Sequence, residues 1–160
     1  MAKNDKKAAT ARSAAVEILQ QVLGEGAYTN IAVNKYLRSH ELSDMDRRLM
    51  TELVYGTVKA VGTIDWYLQQ CVTRPLDKID KLVLSILRIS VYQLLYMDKI
   101  PASAACNEAV NLARLFSHEG TAKFVNGVLR GLLRKKDSFT LPDADKEAAD
   151  YISLAMYHPR

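Results

Sequence analysis

The residues best suited to do chemistry in this chain are cations, and the chemistry open to them is the neutralisation of phosphates. Positions 120–136 hold Lys123, Arg130, Arg134, Lys135 and Lys136 and no acid. At about 100° per residue, Lys123, Asn126, Gly127, Arg130 and Arg134 gather on one face of a helix. Phe124, Val125, Val128, Leu129, Leu132 and Leu133 gather on the other. Docked by its apolar face, such a helix turns guanidinium and ammonium groups outward, where they can displace counterions from a nucleic acid. A solvated helix surface has the same pattern, so charge alone leaves both readings open. Gly127 lies inside the basic face. Mid-helix glycine costs about 1 kcal/mol relative to alanine, which points to a close approach there, by a phosphate or by a neighbouring helix.

A second group of cations, Lys6, Lys7 and Arg12, stands where a polar amino-terminal arm meets the first helix. It reads either as a nucleic-acid contact or as a solubilising tail. Arg47 and Arg48 are assigned to local ion pairs with Asp44, Asp46 and Glu52 rather than to a ligand. Trp66, between Asp65 and Tyr67, has the ring needed to stack on a base. Ile64, Leu68 and Val72 recur around it at helical spacing, which assigns it to the core.

Other chemistry is excluded by what the sequence lacks. His40, His118 and His158 are far apart and have no cysteine at ligand spacing, so no metal site is expected. Cys71 and Cys106 sit in apolar helical contexts and are expected to be reduced, in or near the core. No Ser/His/Asp set, paired carboxylates or strand followed by GxGxxG stands out. The chain as given is expected to bind no cofactor and to catalyse nothing alone.

The elements that position these residues read as helices throughout. With 160 residues, one domain with a substantial core is the natural size. No β-alternation or hairpin signal appears, so the fold class is all-α, a bundle of about seven helices. The first helix begins near 8–10, with Ala11, Ala15, Ile18, Leu19, Val22 and Leu23 as its apolar stripe, and Gly24 and Gly26 end it. The second covers 28–40, with Ile31, Val33, Tyr36 and Leu37 expected inside. Ser43 and Asp46 mark a third start. Gly56 and Gly62 permit a tight crossing or a kink. Pro75 precedes a central helix beginning near Leu76 that is apolar on most of its circumference. Pro101 separates that helix from one starting at Ala102, and a short SHEG break precedes the basic helix.

The domain is expected to cover 10–140, after a mobile basic arm at 1–9 and before a linker helix at 141–160. The formal charge is only +4, so its distribution matters more than its total. From Asp137 onward there are five acids against Lys146 and Arg160, which suits a segment leading away from an RNA face. No run of eighteen apolar residues and no signal-peptide core is present; no membrane partner is expected, and the cytoplasm is the expected location.

The run KFVNGVLRGLLRK resembles the FVNGVL signature of the NusB family. LRISVYQLLYMDKIPASAACNEAVNLAR is similar to the helix, Ile-Pro turn and NEA-containing helix that precede that signature. Upstream, DRRLMTELVYGTVKAVGTIDWYLQQ resembles one branch, the NusB-like domain at the amino end of bacterial rRNA cytosine-C5 methyltransferases of the Sun/Fmu or RsmB type. The tail LPDADKEAADYISLAMYHPR is similar to the helix, ending in His-Pro, that leads into their catalytic half.

The resemblance implies a NusB-like helical bundle that binds RNA, with Lys6, Lys7 and Arg12 at the basic helix start that NusB proteins use. Small-subunit rRNA would be the substrate, S-adenosylmethionine the cofactor of the full enzyme, and a C-terminal methyltransferase domain the partner. The chain would then be the front part of a longer enzyme. The cysteine nucleophile of those enzymes stands in a Pro-Cys or Thr-Cys context that neither Cys71 nor Cys106 has. Two further readings stay open. One is a stand-alone transcription antitermination factor of the same family, against which the added carboxyl-terminal helix argues. The other is a helical docking module with no RNA.

Overall fold

Short polar side chains set three of the helix starts. The Thr10 hydroxyl accepts the Ser13 N–H while the Ser13 hydroxyl accepts the Thr10 N–H, so two otherwise unsatisfied donors are covered reciprocally. Ser43 accepts the Asp46 N–H at 3.1 Å. Asp80 accepts from Leu82 and Val83 at 3.0 and 3.2 Å. Pro101, which lacks a donor, stands directly before another start.

The structure, a computed structural model, describes residues 9–139. Among the described residues are seven α-helices: α1 Ala11–Leu19, α2 Thr29–Ser39, α3 Asp44–Lys59, α4 Val61–Gln69, α5 Lys81–Tyr96, α6 Ala102–Phe116 and α7 Glu119–Lys135. A π-helical turn, Gln20–Gly24, extends α1, and a 3-10 turn, Leu76–Lys78, precedes α5. Among the described residues there is no strand. The linker helix expected over 141–160 lies outside the described residues, as does most of the arm at 1–9.

The centre of the core is α5. Ile86, Leu87, Ile89 and Val91 are fully buried, and each such side chain contributes roughly 1.5–3 kcal/mol by leaving water. Around α5 pack α1, α3, α4, α6 and α7. Gly56 of α3 lets the ring of Tyr92 rest against the helix backbone; any Cβ there would overlap the ring. The chain turns at Ala60, between Gly56 and Gly62, so that α3 and α4 are separate helices. Gly26 takes φ of 82°, the left-handed conformation that ends the first helical segment. Among the described residues, no helix is long and apolar enough to cross a membrane.

Several expectations are corrected. Ile31 is 57% exposed, because α2 docks through Thr29, Ala32, Val33 and Tyr36 and Ile31 falls on the opposite side of that stripe. The central helix begins at Lys81 rather than Leu76, since the residues after Pro75 form the 3-10 turn and Asp80 supplies the cap. Arg47 and Arg48 are exposed, and among the described residues neither has a carboxylate within ion-pair distance. The tryptophan is half-buried at the rim of the core, edge-on to Tyr67 and Phe139 at 5.1 and 6.0 Å. The cysteines, by contrast, are as expected: both are free, with Cys106 buried in the core and Cys71 half-buried against it.

Candidate nucleic-acid interface

Helix α7 forms because its apolar residues recur on one side and because His118 accepts the Thr121 N–H at its start. Ala122, Val125, Val128, Leu129 and Leu132 are buried, mainly against α6 and also against α5 and α4. Docking on that side leaves Lys123, Gly127, Arg134 and Lys135 exposed and Asn126 and Arg130 half-buried. The structure therefore gathers Lys123, Asn126, Arg130 and Arg134 on one outward face, with Lys135 on its flank.

The face has two distinctive features. Among the described residues nothing beyond the helix's own backbone lies within 4 Å of where a Gly127 Cβ would stand, so no neighbouring described helix accounts for this glycine, which is exposed. Arg130 is also oriented rather than loose, because its Nε–H donates to Asn126 Oδ1 at 3.2 Å. Among the described residues, none of Lys123, Arg130, Arg134 and Lys135 has a carboxylate within ion-pair distance. The one acid of the helix, Glu119, is held at its start by Arg114 through bonds of 2.9 and 3.1 Å. Hydrogen bonding to that guanidinium pushes the Glu119 carboxyl below its usual range.

Two thiols mark where the cations sit. Burial pushes Cys106 up, against the pull of nearby Arg130. Cys71 is likewise raised by burial, with Lys135 acting in the opposite sense. Cys106 is buried in the core and Cys71 packs half-buried against it, and a thiol raised in this way holds little thiolate at neutral pH.

Arg12 lies on a different element. It is half-buried near the start of α1, and its Nε–H donates to Gln93 Oε1 of α5 at 3.0 Å. Among the described residues no hydrogen bond or ion pair joins it to the α7 cations. Lys6 and Lys7 lie outside the described residues.

Arg74 and Lys78 were not found from sequence. Arg74 stands over the Phe124 ring, 5.4 Å from its centre. With Lys78 and His118, it lines a cleft of about 450 Å³ beside the start of α7. These cations belong to the segment between α4 and α5, and no local pattern reveals that this segment folds against a helix some forty positions later.

Residues 9–134 match the model of the family described as NusB family. The chain is 41% identical over 154 residues to a probable ribosomal RNA small subunit methyltransferase B of Bacillus subtilis (strain 168), covering 96% of this chain and 34% of that protein. It is 33% identical over 119 residues to a transcription antitermination protein NusB of Ruminiclostridium cellulolyticum, covering 74% of this chain and 82% of that protein. Among solved structures, one described as antitermination factors NusB and NusE in complex with dsRNA superposes with a TM-score of 0.70 at 20% identity, over 84% of this chain and 98% of that one. At that identity the likeness concerns the fold. The chain spans about a third of the length of the methyltransferase relative.

Proposed function

The chain belongs to the NusB family, and from that premise we propose that it is the RNA-holding domain of a small-subunit rRNA cytosine-C5 methyltransferase. In this reading it works in the cytoplasm and holds rRNA for a C-terminal methyltransferase domain. The identity to a probable small-subunit rRNA methyltransferase, over 96% of this chain, supports that role over stand-alone antitermination.

The observation that carries the proposal is the outward face of α7. Among the described residues it presents Arg130 and Arg134 with no carboxylate within ion-pair distance, Lys123 with only the longer-range pull of Glu119, and an open backbone at Gly127. Each cation can replace a condensed counterion on a phosphate. The open glycine lets a sugar-phosphate chain come nearer the helix than a side chain would allow.

Residues 9–139 form helices and their connections with no strand, so the Rossmann-like sheet and glycine-rich turn with which a cytosine-C5 methyltransferase holds S-adenosylmethionine would have to come from elsewhere. The proposal assigns that cofactor, and the methyl transfer it supports, to the methyltransferase domain.

The direct test changes Lys123, Arg130 and Arg134 together to glutamine. Affinity for a labelled small-subunit rRNA fragment is expected to fall at least tenfold, roughly the loss of two or more phosphate contacts, while the melting temperature stays nearly unchanged. Unaltered affinity contradicts the assignment of this face.

A further inference from the structure

Among the described residues four arginines donate to side chains, and they are held in two different ways. Arg88 and Arg114 each make paired bonds to a carboxylate, Asp65 and Glu119 respectively. Their charges are balanced by the protein's own carboxylates, in a mostly buried pair at Arg88 and an exposed one at Arg114. Arg12 and Arg130 are instead gripped through Nε alone, each by a neutral side-chain amide oxygen: Gln93 Oε1 at 3.0 Å and Asn126 Oδ1 at 3.2 Å. Among the described residues, neither guanidinium has a carboxylate within ion-pair distance, and no bond is made to its terminal nitrogens.

Gln93 is the more telling of the two anchors. It is 1% exposed on the most buried helix of the molecule, where an amide without partners is strongly unfavourable. Its Nε2–H is satisfied by the Ile89 carbonyl one turn back, at 2.9 Å. Its oxygen reaches across to α1 and Arg12. Leucine would fill such a position without any polar requirement, so the amide serves Arg12.

A guanidinium has five N–H donors in a planar fork. Fixing Nε orients the fork and cuts the ordering cost of a later contact, and a neutral anchor leaves the positive charge whole for an anion. We propose that Gln93 and Asn126 are positioning residues for RNA. They aim Arg12 and Arg130 as phosphate forks without neutralising them. This rests on the RNA-holding reading above, and it recasts Asn126 as a residue that acts through its neighbour.

The test replaces each amide by its near-isosteric acid, Gln93→Glu and Asn126→Asp, beside Arg12→Gln and Arg130→Gln. Each acid keeps an acceptor for Nε but adds a negative charge. Affinity for a labelled rRNA fragment is expected to weaken, and the plot of log affinity against log salt to become shallower by about one unit for each arginine neutralised. The melting temperature of the Asn126→Asp variant should hold. Once the matching arginine is glutamine, the acid substitution should weaken binding much less than it does in the parent, because only direct repulsion of the phosphates remains.

Asn126 is half-exposed, so its variant remains informative even if a buried glutamate at 93 unfolds the chain. Two results overturn the inference while the RNA reading stands. In one, the acids bind like the parent although the arginine variants bind weakly. In the other, Arg12→Gln and Arg130→Gln bind like the parent while Lys123→Gln with Arg134→Gln binds weakly. Failure of the parent itself to bind RNA at low salt overturns the RNA reading as well.

Discussion

Replacing Gly127 by alanine separates the two roles a glycine can have in the middle of α7. Its backbone is ordinary helix, and among the described residues no neighbour occupies the space for a Cβ. Alanine should therefore stabilise the domain by about 0.5–1 kcal/mol, measured by denaturation. Affinity for the rRNA fragment should fall if a phosphate passes over that backbone. A gain in stability with no loss of affinity would remove the glycine from the interface. At this scale the sequence was informative where a pattern is local. The apolar positions of α7 followed from their spacing, and Val125, Leu129 and Leu132 are fully buried. Arg12 and Gln93 are 81 positions apart, and no periodicity relates them. Ile31 failed for the converse reason, since its residue type suits a core but its side of α2 faces none.

At the scale of elements, the helices are tied together by a few polar bonds as well as by the core. Arg88 of α5 binds Asp65 of α4 at 2.8 and 2.9 Å, with side chains 14% and 29% exposed. Asp65→Ala leaves a largely buried guanidinium without its partner. The expected cost is about 1.5–3 kcal/mol in thermal or denaturant unfolding, below the 3–5 kcal/mol of a fully buried pair because water still reaches both groups. A loss below about 0.5 kcal/mol would show that solvent substitutes for the carboxylate. Starts and stops were legible where a proline, serine or glycine enforces them, as at Pro101, Ser43 and Gly26. The π-turn Gln20–Gly24 and the 3-10 turn Leu76–Lys78 were not. They depend on how the chain is pulled onto its neighbours, and Lys81 reaching the Gly24 carbonyl at 3.2 Å is one such constraint.

At the scale of the molecule, a formal charge of +4 is too small to make the whole chain a general polyanion binder. Cations are instead concentrated on α7, with Arg12 held separately on α1. The fold class was readable because every long segment carries a helical period and none alternates. The added cleft of Arg74, Lys78 and His118 was not, because it exists only once α7 has docked beside the α4–α5 connection. The measurement that tests the central claim most directly is the affinity of this chain for a labelled small-subunit rRNA fragment across a range of salt, with the Lys123, Arg130 and Arg134 triple glutamine variant alongside. The account predicts a steep linear fall of log affinity with log salt, and a slope about two to three units shallower in the variant. Binding that is insensitive to salt, or equal slopes for the two proteins, would contradict it.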